Sequence, residues 1–203
     1  MWEFMKAEPI MFIVGGVILL LAIVGVIVGV VLKGRWEDRG LMERDGKKLR
    51  WGSVPVFVVF HPELSLQWQA TFVGAAQRYK KSVGFDLFTA IQAPPGYNFD
   101  QPPPLGAGLI VICPKDSTGD MQSDSASFEP RYNKETGIIF GGTLTVPSPL
   151  QIRMPVMLHE LGHGLGLAHD EQTSSIMYPN LSERVDPGTL SESDIDLLKK
   201  IYG

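Results

Sequence analysis

The chain has one cysteine and four histidines among 203 residues, and each scarcity excludes something. Cys113 has no second thiol to pair with, so no internal disulfide staples the fold. It closes the apolar run Leu109-Ile110-Val111-Ile112, which predicts a buried structural thiol and not a reactive one. A lone cysteine is compatible with either side of a membrane. Positive charge is short where a nucleic-acid surface would need it. Residues 53–203 hold ten Lys/Arg against sixteen Asp/Glu, so nucleic acid is not an expected partner. No internal repeat is visible.

Charge is absent altogether from Ile10 to Leu32, as are Asn, Gln and Pro. A helix of that length reaches about 34 Å, enough to cross a bilayer core of roughly 30 Å. The leader carries Glu3 and Glu8 against Lys6, and no small-x-small cleavage site follows Leu32, so the run reads as a retained single-pass anchor. Gly25 and Gly29 form a G-x-x-x-G that offers weak helix pairing, although glycine is common in such helices anyway. The expected organisation is a short tail over 1–9, a transmembrane helix over 10–32, a charged juxtamembrane linker over 33–52 and a domain over 53–203. The linker carries Lys33, Arg35, Arg39, Arg44, Lys47, Lys48 and Arg50 against four acids, suiting anionic headgroups or simple solvation. By the positive-inside rule this charge favours a cytoplasmic domain.

Within the domain, Val54–Phe60 reads as a buried strand, and Leu64 to about Ser82 as an amphipathic helix stopped by Gly84. Phe85–Ile91 and Leu109–Ile112 read as further strands. The five prolines of residues 93–104 predict a surface loop, and the polar stretch 114–136 predicts a long loop. Ile138–Val146 reads as a strand whose Gly141-Gly142 marks a bulge or a close backbone approach. A helix is expected from about Pro149 through Leu165. A last one starts at Ser191, where Ser191 and Asp194 fit a capping box, with Ile195, Leu198 and Ile201 on one face. The fold class is α/β (α+β), a mixed twisted sheet with about three helices.

Three of the four histidines fall in one motif, His159-Glu160-Leu161-Gly162-His163-Gly164-Leu165-Gly166-Leu167-Ala168-His169. Histidines four apart stand one above the other on a helix face, so His159 and His163 can reach one ion. Glu160 is rotated about 100° away, beside the ion, where it can take a proton from the attacking water. Gly166 permits the turn that returns His169 as a third ligand. Three neutral imidazoles leave a tetrahedral Zn²⁺ one open position, the mark of a catalytic and not a structural site. A bare H-E-x-x-H arises by accident, but the added Gly166 and His169 make chance a poor account. His61, beside Pro62, reads as an ordinary loop residue. Asp116, Asp120 and Asp124 lie four apart in one loop, but they lack an ordered calcium ligand pattern.

With Ser174-Ser175-Ile176-Met177-Tyr178-Pro179 downstream, this motif resembles the metzincin clan of metalloproteases, in which a methionine turn lies beneath the zinc ligands; Met177 holds that place. Within the clan the chain is similar to the matrixins, the matrix-metalloprotease family. The tail Leu190-Ser191-Glu192-Ser193-Asp194-Ile195 through Ile201-Tyr202-Gly203 is similar to their closing helix. Asp170 is closer to the adamalysin pattern. The resemblance covers about 53–203 in element order and 157–203 in specific residues. It implies a zincin-like fold, endopeptidase activity on peptide or protein substrates, and a substrate strand laid along the sheet edge. It also implies that Pro179-Asn180-Leu181 wall the pocket for the residue after the scissile bond, and that the domain acts outside the cytoplasm. Two departures follow. No cysteine of the kind that caps the zinc in matrixin pro-segments is present, and with His61 the only spare histidine a second, structural zinc site cannot be built. The expectation is a one-zinc, matrixin-like domain without latency control. A zinc-binding protein that has lost catalysis would be its rival, as would a hydrolase of cell-wall peptides.

Overall fold

Apolar, β-branched runs set the centre of the molecule, because such side chains pack well on a pleated surface. The computed structural model describes residues 40–99, 101, 103–104, 106–115, 126–147, 153–186 and 188–203. Its elements are β1 (Glu43–Arg44), β2 (Lys47–Lys48), β3 (Arg50–Trp51), β4 (Val56–Phe60), α1 (Leu66–Val83), β5 (Phe88–Ala90), β6 (Leu109–Pro114), β7 (Ser127–Tyr132), β8 (Ile138–Val146), α2 (Met154–Gly164), a 3₁₀ turn (Leu181–Glu183) and α3 (Glu192–Tyr202). The main sheet runs β3-β8-β6-β4-β5, all parallel, and β7 pairs antiparallel with β8. This is the expected mixed sheet with three helices.

Parallel neighbours need a crossover, and α1 supplies the one between β4 and β5. Ser65 caps it by accepting from the Trp68 amide at 3.3 Å, and Gly84 ends it in the left-handed region at φ 94°. Trp68, Phe72, Ala75, Tyr79 and Val83 face inward at helical spacing. Phe72 meets Phe60 and Phe88 edge-on at 5.3 and 6.1 Å.

The sheet's other face carries Val59, Leu109, Val111 and Cys113, and the proline-rich stretch is what covers it. Ala93, Tyr97, Phe99 and Ala107 pack there, so this loop is a lid on apolar surface as well as a connection. Burial pushes the Cys113 thiol up to about 11, in keeping with a structural role.

Three expectations are corrected. The compact unit begins at Gly40 and not at 53, so the second half of the supposed linker belongs to it. Leu41, Leu49 and Trp51 are buried between charged neighbours that face solvent, and composition alone hides that alternation. The polar stretch after Pro114 contains strand β7, hidden in sequence by its polar, serine-rich surroundings, and the strand also holds Pro130. An edge strand tolerates proline, and Pro130 sits opposite Gly142. Arg153 has extended backbone at φ −136°, so α2 starts at Met154, later than Pro149.

The Gly141-Gly142 pair is a close approach as well as a strand interruption. A methyl at Gly142 would enter the Phe128 ring, and the β7–β8 register shifts at Arg131/Tyr132. Among the described residues no helix is long and apolar enough to cross a membrane. The apolar run 10–32, with Gly25 and Gly29, lies outside the described residues, as do Asp116, Asp120 and Asp124.

Candidate metal centre

Helix α2 is apolar on nearly every side and buries residues 157–162, which is why its two histidines meet at a fixed spot and not on a free surface. His159 and His163 stand with ring centroids 4.7 Å apart. The helix stops at Leu165, whose amide returns to Leu161 O at 3.0 Å, and Gly166 follows at φ 88°. A side chain at Gly166 would strike the Leu49 carbonyl, so the turn needs glycine for both conformation and space. The chain then brings His169 back to the pair. His163 Nε2 and His169 Nε2 lie 3.2 Å apart, and one ligand atom from each of the three histidines lies within 4.8 Å of the others. Two nitrogens on one tetrahedral zinc at about 2.0–2.1 Å stand about 3.3 Å apart, so the pair already has that spacing.

Backbone carbonyls select the tautomers. His159 Nδ1 is 2.7 Å from Ile176 O, and His163 Nδ1 is 2.8 Å from Leu167 O. A carbonyl only accepts, so each Nδ1 must carry the proton and each Nε2 keeps its lone pair for a metal. Two imidazoles with Nε2 so presented, and the His169 ring brought to the same point, fit a catalytic Zn²⁺.

The carbonyls left over at the end of α2 are satisfied by side chains from far away in sequence. Trp51 Nε1 donates to Gly164 O at 2.6 Å, and the Tyr202 hydroxyl donates to Leu165 O at 2.6 Å. The ligand loop is also paired like a strand with the first described residues. Met42 N donates to Gly166 O and Ala168 N to Gly40 O, each at 2.7 Å, around the Leu41–Leu167 bridge.

Met177 lies under this assembly. A methyl at Gly162 would run into its sulfur, so helix and methionine are in direct contact. Asp194, at the start of α3, fixes the turn that carries Met177. Its carboxylate accepts from Ser175 Oγ at 2.6 Å and from Ile176 N at 2.9 Å, and also from Ser191 N and Oγ in the capping box. The sequence marks Asp194 only as a helix cap; its reach to residues 175–176 has no local signal. Nor do Trp51 and Tyr202, which hold the ligand helix from opposite ends of the chain. His61 stands outside the histidine cluster, accepting from Glu63 N and packing edge-on against Phe99.

The three histidines and Glu160 open into a cleft of about 860 Å³, which Phe128 borders on the β7 side and Pro179 and Leu181 on the other. Glu160 is buried, and its Oε2 has no hydrogen-bond partner. Burial pushes its carboxyl up to about 7 and pushes the His159 and His163 rings down to about 4.

The metal-free protein should therefore respond to acid in a defined direction. Between about pH 6.5 and 4 the unfolded chain takes up protons on both rings that the folded protein refuses, so acidification removes stability. Glu160 opposes this, because its folded carboxyl keeps from about 4.5 to 7 a proton that the unfolded one has lost. Two rings outweigh one carboxyl. The Tm of chelator-treated protein is expected to fall from pH 6.5 to 4.5, and to fall more steeply in Glu160→Gln. Equal slopes in the two proteins would contradict the assignment of these shifts.

A helix bearing two imidazoles and a carboxylate, a glycine turn to a third imidazole and a methionine floor define a metzincin-type metalloprotease site. The sequence model of the Matrixin family matches residues 87–203, and the chain belongs to that family of zinc metalloproteases. Over 48 residues it is 44% identical to metalloendoproteinase 1 of Glycine max, and over 49 residues 45% identical to the neutrophil collagenase of Homo sapiens. Each match covers 24% of this chain, and they span only 16% and 10% of those relatives' own lengths. Among solved structures, high choriolytic enzyme 1, a hatching-enzyme zinc-protease of Oryzias latipes, aligns with a TM-score of 0.49 at 13% identity. That alignment covers 78% of this chain and 98% of that one.

Proposed function

We propose that the protein is a membrane-anchored zinc-dependent endopeptidase, with His159, His163 and His169 holding the metal and Glu160 as general base. The observation that carries this reading is the meeting of three imidazoles, each with a ring nitrogen near enough to share one ion, and the Glu160 carboxyl on the lining of a single open cleft. A zinc ion in such a site lowers the pKa of water and polarises a carbonyl. Glu160 then takes the proton from the attacking water and delivers it to the leaving amine, a transfer its raised pKa suits near neutrality. The outer edge of β7, paired on one side only, offers free backbone groups to an extended substrate beside Phe128. Pro130 has no amide hydrogen, so this edge offers no amide donor at that position.

Anchoring through residues 10–32 rests on the apolar run alone, and placement of the domain outside the cytoplasm rests on the family's habit. Protease protection of intact cells tests the orientation. For the activity, the full chain in detergent micelles is given casein and quenched peptides. Internal peptide-bond cleavage that 1,10-phenanthroline abolishes and added zinc restores is the expected result. A zinc-loaded protein that cleaves nothing, or activity indifferent to the chelator, overturns the reading.

A further inference from the structure

Part of the cleft wall is supplied neither by the main sheet nor by α2 but by the β1–β2 hairpin. The chain reverses at Asp45 and Gly46, at φ 52° and 72°, the left-handed pair that a two-residue hairpin turn needs. Met42 N donates to Gly166 O at 2.7 Å, and the Tyr132 hydroxyl donates to Asp45 at 3.0 Å. The hairpin is thus fastened to the ligand loop at its base and to the end of β7 at its tip. Met42, Glu43 and Arg44 line the same cleft as the three histidines.

Charge on this lining is one-sided. Glu43 is paired with Lys48 directly across the hairpin at 2.8 Å, and Glu160 is committed to the attacking water. Arg44 is exposed, and its side chain has no hydrogen bond or ion pair among the described residues. Arg153 also lines the cleft, exposed and with its side chain equally unpaired among the described residues. It precedes His159 by six residues, whereas the hairpin is joined to the loop that follows His163. The two cations therefore stand toward opposite ends of the ligand helix. Residues 40–203 as a whole hold fourteen Lys/Arg against eighteen Asp/Glu, so unanswered positive charge in the cleft runs against the sign of the domain. A concave site focuses such a field on whatever enters it.

We infer that Arg44 determines specificity by receiving the carboxylate of a substrate glutamate or aspartate that lies before the scissile bond. The inference rests on the endopeptidase reading above. With Pro179–Leu181 walling the place of the residue after the bond, the hairpin beside His169 is left to residues before it. An extended substrate advances about 3.3 Å per residue, so the contact falls within about four positions of the bond. The planar fork of arginine gives a carboxylate two parallel hydrogen bonds and a countercharge. Glutamine in the same place keeps the shape and gives up the charge. Because Arg44 is exposed, the pair is modest in strength and open to screening by salt. It selects among substrates and does not by itself hold them.

The test uses the full chain in detergent, loaded with zinc, on a degenerate peptide library whose products are identified by mass spectrometry. Matched quenched peptides that differ only in Glu or Gln at the enriched position follow. Enrichment of Glu and Asp at a position before the bond is expected, with kcat/KM for the Glu peptide about two- to fivefold above that for Gln at low salt. The ratio should fall toward one at about 1 M salt, where the screening length is about 3 Å. Arg44→Gln should bring it to about one, Arg44→Glu should invert it, and Arg44→Lys should keep part of it. Lys47, opposite Arg44 in the hairpin, does not line the cleft, so Lys47→Gln removes the same charge and should leave most of the ratio in place. If the Arg44 variants fail to fold, as judged by circular dichroism and zinc content, the wild-type enrichment, its salt dependence and Lys47→Gln decide. No acidic enrichment before the bond in the wild type overturns the inference and leaves the peptidase reading intact. An unchanged ratio in folded Arg44→Gln, or an equal loss in Lys47→Gln, has the same consequence. No cleavage of any library member by the zinc-loaded wild type overturns both.

Discussion

Replacing Glu160 by Gln is expected to lower kcat by about 10²- to 10⁴-fold, the usual contribution of a placed general acid–base, while zinc stays bound at one ion per chain. The expectation follows from where the carboxylate stands. Glu160 shares α2 with two ligands but is turned away from their common point, and it lines the same cleft. The amide of glutamine keeps the size of the side chain and loses the basic oxygen. Ligand geometry is set by Ile176 O and Leu167 O, which Glu160 does not touch, so metal affinity has no reason to move. Turnover by a quenched peptide assay and zinc by atomic absorption check the two halves separately. A variant that keeps chelator-sensitive activity removes Glu160 from its role; one that loses zinc makes it part of the metal shell.

Asp194→Ala is expected to cost about 3–5 kcal/mol of folding stability, from a total of about 5–15 for a domain of this size. Asp194 is 4% exposed and its two oxygens serve donors on two separate segments. Alanine leaves the Ile176 amide and the Ser175 hydroxyl buried without an acceptor. The damage does not stay local, because Ile176 is the residue whose carbonyl orients His159. Loosening that carbonyl should weaken zinc binding by roughly 10- to 100-fold, the range for loss of a partner behind a metal ligand. Urea denaturation with and without zinc measures the first effect, and competition with a chromogenic chelator measures the second. A stable variant with unchanged zinc affinity would show that the link between α3 and the methionine turn carries no load.

The ligand set was legible because its chemistry is local. Residues 159, 163 and 169 lie within three turns' length of chain, and helical spacing plus one glycine is enough to bring them together. The capping box at Ser191 and the glycine end of α1 were legible for the same reason. What stayed hidden depends on partners far along the chain. Leu41, Leu49 and Trp51 look like parts of a charged linker until the sheet gives them something to face. β7 is polar and holds a proline, so only its pairing with β8 reveals it as a strand. Asp194 showed its near role and concealed its distant one. The burial of Arg184 gave no sign either, since an arginine in a polar loop is ordinary until its surroundings are known.

The pairing of residues 40–42 with 166–168, and the bond from Trp51 to Gly164 across 113 positions, also bear on how the protein reaches its native state. Contacts of such sequence separation demand closure of nearly the whole domain before they contribute anything, so the chain has a high contact order around its metal loop. The pairing that flanks the third ligand is therefore expected to close late in folding, after the local helix α1. Zinc captured by His159 and His163 beforehand would bias the search for the remaining closure, which makes the ion a participant in folding kinetics and couples metal supply to the yield of native protein.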